Sequence, residues 1–270
     1  MSKRRRRKIV FWLAACAGAA LLSQTVWAHR TPPFTPDEPP LALEPLLAEG
    51  DLEALSLQTG LSPAALKALL AQDGGTARIA ACQAALFAQR PVECRGFIGG
   101  LLSREDCLAE ESLLPPLAPL EQGDLLVTFS THTLGWRHGH AGLALDGRTV
   151  LEAVQPFQDS AAFPAEHWQT YAHFLILRVR DASPEERAAA AELAGTQLLG
   201  VPYSFLCGFR DSGGCHCAYL PWYAWSSLGY DLDSDGGRLV TVADLAASPY
   251  LEVVQAAGLD PRLFAGRWAQ

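Results

Sequence analysis

Beyond residue 28 this 270-residue chain has a single lysine, Lys67. Six of its 21 Lys/Arg residues fall within the first eight positions, so the rest sets 15 basic against 29 acidic side chains, a net charge of about −14. A surface of that sign repels polyphosphates and excludes nucleic acid as a natural partner. Charged residues make up only 19% of the chain and hydrophobic ones 49%, which excludes long disorder. Tight metal-ligand spacing is scarce too. Only Cys215-His216-Cys217 is tight, which argues against a zinc site drawn from His132, His138, His140 and Cys217 or His216. Asp231, Asp233, Asp235 and Gly236 imitate the opening of a calcium loop, but its twelfth position, which needs glutamate, is Val242. That stretch reads as a solvated acidic turn. No metal and no cofactor are expected.

What the sequence does have begins at the amino terminus. Lys3 to Lys8 read KRRRRK, followed by the apolar IVFWLAACAGAALL and then Val26-Trp27-Ala28. This is the three-part grammar of a secretory signal, with cleavage after Ala28. Two alternatives stay open: an uncleaved anchor over residues 9–28, at ~20 residues long enough to span a bilayer, and lipoprotein processing at Cys16. All three imply export to a bacterial periplasm or cell envelope, with membrane association wherever the segment is kept. Six cysteines follow: Cys82, Cys94, Cys107, Cys207, Cys215 and Cys217. Outside the cytoplasm such thiols tend to pair unless chemistry keeps one free, and Cys207–Cys215 is the first bridge to expect.

Residues 29–41 are proline-rich and read as a linker. Residues 42–118 read as a small helical domain: Ser62 can cap a helix, Pro63 sits at its first position, and Gly74 ends the run. Its LEALSLQTGLSPAALKALL has a helix-turn-helix rhythm, but with Lys67 alone on the second helix it reads as a packing domain, not a DNA reader. From Gly123 the period changes. Short aliphatic stretches at 124–130, 140–146, 148–154 and 174–180 read as strands. Residues 183–199 read as a helix opened by the capping box Ser183/Glu186 with Pro184 at its first position. A second helix starts at Cys217 and a short third lies in TVADLAASP. Residues 119–270 are therefore expected to be α+β, an antiparallel sheet with packed helices.

In HGHAGLALDGRTVLEAV (138–154) the turn signal is Asp146-Gly147. A three-residue loop over 145–147 pairs Ala144 with Arg148, and His140 then sits directly opposite Glu152 with Cβ atoms ~5 Å apart. A two-residue loop would instead put them on opposite faces. A carboxylate beside an imidazole orients the ring and stabilises its protonated form, as a base working with a thiol requires. A helix start stabilises a thiolate through unpaired N–H groups, which selects Cys217 over Cys215 in its glycine-rich loop.

These residues, with QGDLLVTF, GVPYSF, CHCAYLPWYAW and GRLVTVADLAASPYLEVV, resemble the permuted NlpC-type papain-like cysteine hydrolases, the YiiX/YaeF-like group, over roughly residues 119–256. The resemblance implies a circularly permuted papain-like fold with Cys217 as nucleophile, His140 as general base and Glu152 as the ring-orienting residue. It also implies that Tyr203 lines the site and that a cell-wall peptide amide is the substrate. Ala218-Tyr219 depart from a usual Ser-Glu-like pair, and Pro221 falls early in the helix. A lipid acyl hydrolase or acyltransferase using the same cysteine, and a non-catalytic binding module, are the other readings. Trp136, Phe205, Trp222, Tyr223 and Trp225 could form a substrate groove or simply core, with Trp136 and Trp222 the candidates for substrate contact.

Overall fold

The computed structural model describes residues 12–15, 18, 31–96, 103–133, 136–207 and 213–270. The signal, anchor and Cys16 readings therefore lie almost wholly outside the described residues, among which no helix is long and apolar enough to cross a membrane.

Past residue 31 the described helices α1 (Leu43–Glu49), α2 (Leu52–Thr59), α3 (Pro63–Leu70) and α4 (Gly75–Phe87) come first. Strands β1 (Val92–Gly96), β2 (Ser103–Leu108), β3 (Leu125–Thr128), β4 (Thr131–Thr133), β5 (His140–Ala144), β6 (Thr149–Glu152), β7 (Ala161–Pro164) and β8 (Phe174–Val179) follow. Helices α5 (Pro184–Gln197), α6 (Tyr219–Ser226) and α7 (Val242–Ala247) then lead into β9 (Leu251–Ala257). Among the described residues β7-β6-β5-β3-β8-β9 form one antiparallel sheet and β1-β2-β4 a smaller one. The fold is α+β, as expected.

Local chemistry accounts for the helix starts. Ser62 accepts the Ala65 N–H (3.1 Å), the Ser183/Glu186 capping box is formed, and Thr241 makes a second one with Asp244. Strand alternation then divides the core in two. Leu125, Val127, Leu143 and Leu177 face Ala190, Leu220, Trp225 and Leu245 of α5–α7. Leu126, Val150, Phe174 and Ile176 face Leu55, Leu66, Leu69 and Ile79 of α2–α4. The six-stranded sheet is thus filled from both sides. Asp124, fully buried at the entry to β3, holds Arg178 of β8 with two 2.8 Å hydrogen bonds, which ties the central strands together.

Three expectations need correction. First, residues 42–118 are not all helical: β1 and β2 lie inside that range and pair with each other, and β2 pairs with β4 from the second half. Nor do the helices keep a core to themselves. Ser62 N–H donates to Val254 O and Ala256 N–H to Gly60 O. Gly60 has φ of 70°, and a Cβ there would lie 2.3 Å from Ala256 O, so this close approach needs glycine. Second, the described part of the proline-rich segment lies against the body: Phe34 N–H donates to Gly258 O and the Thr35 hydroxyl to Ala88 O. Third, no disulfide forms among the described residues. The Cys207 thiol donates to Ser204 O instead of joining Cys215.

Candidate active site

His140 opens β5 and Glu152 closes β6, and Nε2 of the one lies 2.7 Å from Oε2 of the other. The register differs from the expected one by two residues. Ala144 pairs with Val150 and Gly142 with Glu152, so the connection runs from Leu145 to Arg148, and the Asp146 carboxylate accepts the Arg148 and Thr149 amides. A shift of two keeps face parity, so His140 and Glu152 still share a face, now on a diagonal. The residue directly opposite Glu152 is Gly142. A Cβ on Gly142 would lie 2.9 Å from Glu152 Cγ and 2.5 Å from Val150 Cγ1. The missing side chain is what lets Glu152 lean across to His140.

Glu152 is buried and heavily partnered. Its Oε1 accepts Trp168 Nε1–H (3.0 Å) and lies 3.2 Å from His167 Nε2, while the Trp168 ring stacks on His140 at 5.5 Å. Burial pushes the carboxyl up, but the His140 and His167 hydrogen bonds outweigh it and hold it at about 2. Burial would likewise lower the His140 ring. Its hydrogen bonds to Cys217 and Glu152 instead raise it to about 10. Trp168 and His167 escaped the sequence reading because they sit in a short 3-10 stretch, Ala165–Thr170, with no strand or motif signal. Trp168→Phe keeps the stack and removes the N–H. A hydrogen bond to a buried carboxylate is worth about 1.5–3 kcal/mol, so Tm should fall by about 3–10 °C in thermal denaturation. An unchanged Tm would show that this bond contributes nothing.

Cys217 is brought to His140 from the other side. With Nε2 taken by Glu152, Nδ1 is the ring nitrogen left for sulfur. Helix α6 begins at Tyr219, two residues later than expected, and Pro221 is the reason. Leu220 N–H already closes a turn on His216 O (3.1 Å), but Pro221 has no N–H to give the Cys217 carbonyl, so the regular ladder restarts at Trp222. His216 caps the turn, its Nδ1 accepting Tyr219 N–H (3.2 Å). The amides of Cys217 and Ala218 are left as the donors ahead of the first i−4 bond. Nε2 of His216 is buried and makes no other hydrogen bond, and the ring acts on the Cys217 sulfur beside it. Burial raises the Cys217 thiol; His140, then His216, outweigh it and bring the thiol down to about 5. Cys215, fully buried, is pushed up to about 11 by burial, and Cys207 to about 12.

Of the other expected residues, Tyr203 joins the site. Its segment pairs with Cys215, and burial and then the Cys217 charge push its hydroxyl upward. Trp136 does not. It is 68% exposed, pairs by backbone with Thr133 and packs its ring edge on His138. Trp222 turns its Nε1 to Asp231 (2.8 Å), and Trp225 is core, bonded to Gly123 O, so the aromatic set does not form one groove. The histidines drawn together for zinc are dispersed: His138 bonds Thr133 Oγ1 and His132 lies by Asp106. In the acidic turn each carboxylate accepts the amide two residues on, at Asp231, Asp233 and Asp235.

No protein family matches the chain, and no curated protein sequence does. Among solved structures it is similar to the Escherichia coli O157:H7 metalloprotein yiiX (DUF1105), at 18% identity and a TM-score of 0.41. The overlap covers 50% of this chain and 97% of that one.

Proposed function

We propose that the chain is an exported cysteine hydrolase of the permuted papain-like kind that cleaves an amide through Cys217. The observation that carries this reading is one buried imidazole, His140, hydrogen-bonded to Glu152 and to Cys217. The chain order His140, Glu152, Cys217 supports the permuted arrangement. In the proposed reaction the Cys217 thiolate attacks the carbonyl carbon and forms a C–S bond. The oxyanion is held by the Cys217 and Ala218 amides. The His140 imidazolium then protonates the leaving nitrogen as the C–N bond breaks. Water, deprotonated by His140, cleaves the thioester and releases the acid. Glu152 keeps the ring oriented and charged.

The substrate proposed is a peptide amide of the bacterial cell wall, reached through export by the amino-terminal segment. A second reading, an acyl lipid as substrate, is favoured by one feature. Phe157, Phe205 and Leu206 are exposed (105%, 63% and 54%) where Tyr203 N–H bonds Gln158 O, an apolar rim beside the site. The test is hydrolysis of purified muropeptides and of phospholipid vesicles by the full chain and by Cys217→Ala. Product release by the wild type should fall by at least about 10³-fold in the variant. Equal rates would end the proposal. An acyl adduct on Cys217 in mass spectrometry, formed from vesicles and not from muropeptides, selects the lipid.

A further inference from the structure

The small sheet carries a cluster that the proposed hydrolysis does not use. Cys94 on β1 pairs directly with Asp106 on β2, while His132 on β4 pairs with Arg104, two residues along β2 from Asp106. Alternation therefore puts all three side chains on one face. Cys94 Sγ lies 3.9 Å and Asp106 Oδ1 3.5 Å from the same atom, His132 Nε2. The three donor atoms all fall within 4.8 Å of one another.

This is not a second catalytic triad. A relay needs acid and thiol on opposite ring nitrogens, as at His140. Here both converge on Nε2, which can carry one proton and satisfy one of them. Asp106 makes the mismatch costly. It is fully buried, and Oδ2 takes Arg137 Nη2 (2.7 Å) and Thr31 N–H (3.2 Å), but Oδ1 has no hydrogen bond. A buried carboxylate oxygen aimed at a sulfur and a ring nitrogen is costly unless a cation sits among them. The spacing suits one. Zinc bound tetrahedrally to sulfur at ~2.3 Å and to nitrogen or oxygen at ~2.0–2.1 Å has S···N edges of about 3.6 Å and N···O edges of about 3.3 Å. The observed 3.9 and 3.5 Å need to contract by only a few tenths of an ångström.

We propose that Cys94 Sγ, Asp106 Oδ1 and His132 Nε2 bind one Zn²⁺, with water in the fourth position. A thiolate with an imidazole selects zinc over calcium or magnesium. Arg137 and Thr31 on Oδ2 orient the ligating carboxylate from outside. Binding staples three strands whose other face supports the site: Tyr171 donates its hydroxyl to Glu105 (3.1 Å) and Ala172 N–H bonds Asp106 O (2.9 Å). The inference does not depend on the hydrolase reading.

The test uses the full chain, stripped with chelator and reloaded with Zn²⁺ or Co²⁺. One zinc per chain should survive gel filtration. The cobalt form should show a thiolate-to-metal charge-transfer band that is kept in Cys217→Ala and lost in Cys94→Ser. Zinc should also slow iodoacetamide labelling of Cys94 in the wild type by at least about tenfold, since a metal-bound thiolate is shielded, and leave Cys217 labelling unchanged. That wild-type readout decides the matter even if Cys94→Ser fails to fold. No band, a band that persists in Cys94→Ser, one lost in Cys217→Ala, or an unprotected Cys94 would overturn the site.

Discussion

Iodoacetamide will alkylate Cys217 ahead of the buried cysteines, with half of the maximal rate reached near pH 5. The sign follows from which form reacts. The nucleophile is the thiolate, and the folded protein holds the Cys217 thiol below its ordinary value of 9.0, so the reactive form is present above pH about 5 and lost below it. Cys82 and Cys107 are pushed up to about 12 by burial, Cys207 likewise, and Cys215 to about 11. At pH 7 a thiol with a pKa of 11 is thiolate in about one molecule in 10⁴. Thiolate nucleophilicity falls with pKa at a Brønsted slope of about 0.4–0.5, which returns a few hundredfold to the more basic sulfur. The net advantage of Cys217 over Cys215 is still tenfold or more by this estimate, before burial shields Cys215. Peptide mapping after a short pulse across pH 4–10 reads it directly. A Cys217 midpoint near 9 would mean that His140 and His216 do not act on the sulfur. The proposed hydrolysis, unlike alkylation, also needs the imidazolium. It should therefore fade again as pH rises through about 10, where His140 loses its proton.

Much of this site was legible in the chain because its signals are local. Asp146-Gly147 announced a hairpin, and face parity survived an error of two in the register, since strand side chains repeat every second residue. Ser183, Pro184 and Glu186 announced a helix that runs Pro184–Gln197. The strand β9 was less visible. Its pairing with β8 is contributed from about 75 residues away, and its VVQAA run has neither turn signals nor alternation. The placement of β1 and β2 failed for a related reason. The strand β4 that pairs with β2 is three residues long and lies beyond the segment read as a separate helical domain. His216 shows the limit most clearly. In the sequence it figured only as an optional ligand of a zinc site that the spacing argued against, whereas in the fold its ring caps the turn that presents Cys217. Only the backbone position of Tyr219 reveals that role.

Gly142→Ala should silence the site with little loss of fold. The added methyl would meet Val150 Cγ1 at 2.5 Å, Glu152 Cγ at 2.9 Å and Leu151 O at 3.2 Å. Of these, Glu152 has the most rotatable side chain and swings away at Cγ most readily, because Leu151 O is fixed in the ladder with β5 and Val150 is short, branched and fully buried. Overpacking of this kind costs about 1–3 kcal/mol, within what a domain of this size survives. The displaced carboxylate then leaves His140 Nε2, the imidazolium loses its main charge partner, and the Cys217 thiol drifts back toward 9.0. The alkylation midpoint should rise by at least about one pH unit, the equivalent of about 1.4 kcal/mol of lost charge stabilisation. Gly195→Ala is the control. Its Cβ would have only Leu145 Cδ2 within reach, at 3.8 Å, inside α5, so it should stabilise the fold by about 0.4–1 kcal/mol and leave the midpoint where it was. If both variants keep the wild-type midpoint, Glu152 does not depend on the gap at Gly142, and the diagonal contact is held by Trp168 and His167 instead.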